Sequence, residues 1–134
     1  MDKLLTQYVV DEYRFVASKM ASTPNERDAL YFFSAAYAAP QRVLNISFSR
    51  EMLMLHAMTH WTYTMLNSNI SAQQAGQPAR AVPPETFQNL GEVIGEIADR
   101  LSKDEDLTDL YERMCELGYV ASGNGLYLHH EGKL

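Results

Sequence analysis

Apolar side chains recur every three or four residues along most of this chain, the period of an α-helix that lays one face on a core. In residues 3–21, Leu5, Val9, Tyr13, Val16 and Met20 share a face, with Asp11, Glu12 and Lys19 elsewhere. A second helix is expected over about 24–39. Thr23 is placed to cap it, Pro24 suits the first helical position because it has no N–H to leave unbonded, and Glu26 stands three residues after Thr23 as a capping box requires. Pro40 is expected to end that helix, since its ring removes a backbone hydrogen bond and collides with the carbonyl four residues earlier. A third helix is expected over about 49–67. Its segment REMLMLHAMTHWTYTML is apolar around nearly the whole circumference, with Met54, Met58, Trp61 and Met65 in one stripe, so it reads as the central, mostly buried helix.

Residues 68–84 are polar, rich in small side chains and aperiodic, which predicts a flexible loop. The helical period returns in PETFQNLGEVIGEIADRL, where Phe87, Leu90, Ile94, Ile97 and Leu101 form a seam at steps of three and four. Gly91, Gly95 and Ala98 make a stripe of small residues beside it, suited to close approach of a neighbouring backbone. After the charged break SKDED, Leu107, Leu110, Met114 and Leu117 mark a fifth helix, with Asp104 or Asp106 as its cap. Gly118 is placed to end it, and the turn residues Gly123, Asn124 and Gly125 point to a short C-terminal β-hairpin. The expected fold is all-α: a single domain, residues 1–134, built as a bundle of about five helices.

Composition narrows the class. The chain has 134 residues, of which 46% are apolar, with one Cys, seven Gly and five Pro. That excludes intrinsic disorder, a disulfide scaffold and a low-complexity architecture. No stretch approaches the roughly 18 apolar residues of a membrane span, and Asp11, Glu12 and Arg14 interrupt any signal-peptide core, so a cytoplasmic protein with Cys115 as a reduced, packed thiol is expected. Charge is unevenly divided. Residues 1–70 hold six basic and six acidic side chains, whereas residues 71–134 hold five and eleven, so the whole net charge of −6 lies in the second half. Glu92, Glu96, Asp99, Asp104, Asp106, Asp109 and Glu112 form either a solvated face or a docking surface for a basic partner protein. Without a Lys or Arg cluster, direct binding to nucleic acid is not expected.

Two constellations carry possible chemistry. His56 and His60 are four apart, so a helix projects both imidazoles from one face a turn apart, the spacing of many two-histidine Zn or Fe sites. Further ligands would have to come from Glu51, His129, His130 or another helix. Glu51 lies five residues before His56 on another side of the helix, and without a Glu-x-x-His pair the ferritin-like carboxylate pattern is not met. Arg50 and His56, separated by five residues near the start of a helix, resemble the motif of the HEPN ribonuclease family, four-helix-bundle dimers in which such an Arg and His act on RNA phosphates. The resemblance covers these two residues, and Glu51 stands where a polar residue follows the Arg. It implies an RNA-cleaving activity at Arg50 and His56. No nucleophile elbow, phosphate loop or Cys–His arrangement is present. The sequence therefore favours a non-enzymatic protein–protein interaction module, an accessory subunit, adaptor or regulator that forms a homodimer. The alternatives are a metal-binding helical-bundle enzyme or sensor centred on His56 and His60, and a HEPN-like ribonuclease.

Overall fold

The computed structural model describes residues 2–23, 25–79 and 84–116, and among them the chain forms five α-helices and no strand. α1 (Lys3–Met20) starts at Asp2, whose carboxylate accepts from the N–H groups of Leu4 and Leu5. The expected face is its buried one: Val9, Tyr13, Val16 and Met20 are buried, joined by Val10, with Leu5 packed at the edge. α2 (Glu26–Leu44) is capped not by Thr23 but by Asn25, whose Oδ1 accepts from the Asp28 N–H at 3.0 Å. The Thr23 hydroxyl instead donates back to the Lys19 carbonyl. It belongs to the end of α1, because the extended backbone at Asn25 already brings a better cap over the first turn.

The largest departure from the sequence reading is at Pro40, which does not end α2 but lies buried inside it. A proline there leaves the carbonyl of Ala36 without its usual amide donor. The hydroxyl of Tyr13, fully buried on α1, donates to that carbonyl instead. One side chain from a neighbouring helix therefore replaces the bond that the proline removes, and α2 continues for another turn.

α3 (Arg50–Gln74) begins under Ser49, whose hydroxyl accepts from the Met52 N–H at 3.1 Å. It runs through residues 68–74, which were expected to begin the loop. Burial of Ile70 one turn beyond Leu66, and a 3.1 Å hydrogen bond from Asn69 to the Glu26 carboxylate, hold this polar stretch against α2. The helix stops at Gly76 with φ +69°, where the Gln77 N–H bonds to the Ala72 carbonyl at 2.9 Å in a Schellman motif. α3 is not buried all round. It packs chiefly on α2, and its buried face combines Met52, Leu55, Met58 and Leu66 with Thr59 and Thr62, whose hydroxyls donate to the Leu55 and Met58 carbonyls. Trp61 and Met65 remain 37% and 43% exposed, so the methionine–tryptophan stripe is only half core.

α4 (Pro84–Ser102) buries its whole expected seam, Phe87, Leu90, Ile94, Ile97 and Leu101. Its small-residue stripe lies against α1: a Cβ added at Gly91 would sit 3.1 Å from the Met20 Cβ, and one at Gly95 would sit 3.4 Å from the Ala17 Cβ. Asp104, with φ +57°, ends α4 in the position glycine usually takes, with the Glu105 N–H on the Arg100 carbonyl at 2.9 Å. Asp104 therefore closes α4 and is no cap for α5 (Thr108–Glu116), where the Thr108 hydroxyl donates to the Asp106 carboxylate at 3.0 Å. Leu107 and Leu110 are buried as expected. α1 lies between α2 and α4, α3 covers α2, α5 lies on α4, and one apolar cluster runs through all five. The expected hairpin around 123–125, Gly118, His129, His130 and the packing of the Cys115 side chain lie outside the described residues. Among those described, no helix is long and apolar enough to cross a membrane.

Candidate functional site

The histidine pair sits where α3 crosses α2. His56 is half-buried and its Nδ1 lies 3.2 Å from the Tyr37 carbonyl, three residues before Pro40. A carbonyl only accepts, so Nδ1 carries the hydrogen and Nε2 keeps its lone pair. Burial pushes the His56 pKa below the ordinary imidazole value, assisted by the neighbouring His60 and opposed by the bond to Tyr37. The ring of His60, on the exposed side, lies 5.6 Å from that of His56, centre to centre. Tyr37 packs edge-on against His60 at 5.6 Å and beside Tyr63 at 4.7 Å. α2 and α3 thus bring two imidazoles and two phenols into one patch. The tyrosines carry no sequence signal, because their place beside the histidines depends on how the two helices register. Among the described residues, no group of three or more His, Cys, Asp or Glu comes together.

Arg50 and His56 are not brought together. Six residues of α-helix turn the chain through about 600°, so the two side chains leave α3 about 120° apart. His56 faces α2. Arg50 lines a cleft of about 670 Å³ at the end of the bundle, bounded by Lys3, Thr6 and Val10 of α1, by Met54 of α3, and by residues 101–102 and 104–108. Glu51, Asp104, Glu105 and Asp106 line the same cleft, so four carboxylates share it with Lys3 and Arg50.

The acidic side chains of α4 and α5 are largely paired within the molecule. Arg100 grips both oxygens of Asp109, one at 2.9 Å, and reaches Glu96 at 3.2 Å. Hydrogen bonding to Arg100 holds the Asp109 carboxyl below its usual range. Arg113 contacts Glu96 at 3.1 Å and Glu92 at 3.6 Å, and Arg14 contacts Asp99 at 3.5 Å. Four of the seven carboxylates singled out by the sequence, Glu92, Glu96, Asp99 and Asp109, therefore face arginines of the same chain. Asp104, Asp106 and Glu112 are exposed.

An aromatic surface on α1 and α2 was not singled out from the sequence. Phe15 is 47% exposed and Tyr31 72% exposed. Phe32 lies between them, its ring centre 5.9 Å from that of Phe15 and 5.4 Å from that of Tyr31, in edge-on geometry. The Lys19 ammonium stands 5.8 Å from the centres of both phenylalanine rings, within cation–π range. The signal was present in the helical wheels: Phe15 and Tyr31 fall outside the apolar faces of their helices.

Comparison with protein-family models, with curated proteins and with solved structures finds no match for this chain.

Proposed function

We propose that the protein is a non-enzymatic interaction module that pairs with a second copy of itself through the Phe15–Tyr31–Phe32 surface. The observation that carries this reading is a surface cluster of three adjoining aromatic rings, Phe15 and Tyr31 exposed and Phe32 half-buried between them. Exposed apolar patches rimmed by polar groups mark interaction surfaces, and aromatic side chains supply much of the energy at such surfaces. Charge argues for a second copy as the occupant. The patch belongs to the half of the chain whose six basic and six acidic residues balance, while all of the net −6 lies in the other half. Two copies meeting through α1 and α2 bring together helices from the half of the chain without net charge. A two-fold pair is also the commonest small assembly. The intramolecular arginine contacts of Glu92, Glu96, Asp99 and Asp109 leave the aromatic surface, rather than the acidic one, as the stronger basis for association.

The test is a charge placed in the patch. Phe15→Glu with Tyr31→Glu is expected to convert a dimer to a monomer in sedimentation velocity, with an unchanged far-ultraviolet circular dichroism spectrum because both side chains lie outside the core. A wild-type chain that sediments as a monomer at about 100 times the usual micromolar threshold of weak association overturns the reading.

A further inference from the structure

We infer that His56 and His60 form a two-histidine chelate for a borderline divalent metal ion, Zn²⁺ in the first place, with water in the remaining coordination positions. The two imidazoles project from successive turns of one helix, and their ring centres are 5.6 Å apart. Two imidazoles sharing a tetrahedral ion at Zn–N distances of about 2 Å have ring centres about 5 Å apart, so small χ rotations close the pair on a metal. The hydrogen bond from His56 Nδ1 to the Tyr37 carbonyl does what a supporting group does in established zinc sites: it fixes the tautomer and leaves the Nε2 lone pair for a metal. His60 is exposed, which leaves a path for the ion, while the edge-on Tyr37 ring restrains its orientation. Neutral nitrogen donors select Zn²⁺, Ni²⁺ and Cu²⁺ over Mg²⁺ and Ca²⁺, which require oxygen. Two protein ligands and open water positions make this a binding site to which a further group from a partner or a small molecule is free to add.

Isothermal titration of the full chain with ZnCl2 tests the assignment. One Zn²⁺ per chain is expected, with affinity reduced at least about tenfold in His60→Ala, whose exposed side chain is dispensable for folding. CuCl2 is expected to bind more tightly than ZnCl2, and MgCl2 not at all. A His129→Ala, His130→Ala double variant separates this site from the other histidine pair of the chain and is expected to bind as the wild type does. Absence of stoichiometric Zn²⁺ binding, an unchanged affinity in His60→Ala, or loss of binding in the His129→Ala, His130→Ala variant would each overturn the inference.

Discussion

Tyr13 and Pro40 are best understood as a pair. The proline withholds an amide from the Ala36 carbonyl and the buried phenol supplies a hydroxyl in its place, so neither residue makes full sense alone. Tyr13→Phe should destabilise the fold by about 1–3 kcal/mol in urea unfolding, because it leaves a buried carbonyl unbonded. In a Pro40→Ala background the restored amide satisfies that carbonyl, and the same substitution should then cost less than about 1 kcal/mol. Equal costs in the two backgrounds would sever the link. The phenol also predicts a pH dependence. Burial raises its pKa above the ordinary tyrosine value, so the folded chain holds this proton at pH values where the unfolded chain has lost it. The resulting stability is intact below about pH 10 and falls as pH rises further, with a slope that Tyr13→Phe should reduce.

At the level of the helices, hydrophobic period told most of the story. The core faces of α1 and α4, with Leu107 just before α5 and Leu110 in its first turn, are where the three-four spacing put them. What period could not show was tertiary rescue. Local rules ended α2 at Pro40 and α3 at residue 67, and both helices continue because side chains from elsewhere, Tyr13 in one case and Glu26 in the other, supply bonds absent from the local sequence. The apolar circumference of α3 also misled, since Trp61 and Met65 are exposed rather than central. The glycines of α4 separate two effects. Gly95→Ala should stabilise the protein by about 0.5–1 kcal/mol, because the new methyl reaches ordinary contact with Ala17 and removes backbone freedom from the unfolded chain. Gly91→Ala places its methyl 3.1 Å from the Met20 Cβ, both on rigid helix, and should destabilise by about 1 kcal/mol. Thermal melts of the two variants that shift in the same direction would contradict the close α1–α4 approach as the reason for both residues.

For the whole molecule, three surface features stand out: the histidine pair of α3, the carboxylates of α4 and α5, and the aromatic cluster of α1 and α2. The His56–His60 spacing was legible because four residues make one helical turn, whereas the setting of Tyr37 and Tyr63 around the pair required the packing of α2 on α3. The acidic side was legible as composition, but its arginine contacts were not, because Arg14 reaches Asp99 across 85 positions of chain. The aromatic cluster was not legible in the core period: Phe15 and Tyr31 are exposed, off the buried faces of α1 and α2, and Phe32 is half-buried between them. Self-association through those rings is the central claim, and it makes one direct prediction about mass. Native mass spectrometry of the untagged chain should show a species at twice the 15.2 kDa of one chain, lost in the Phe15→Glu, Tyr31→Glu variant. A single-chain mass for the wild type, or a dimer that survives both substitutions, would contradict it.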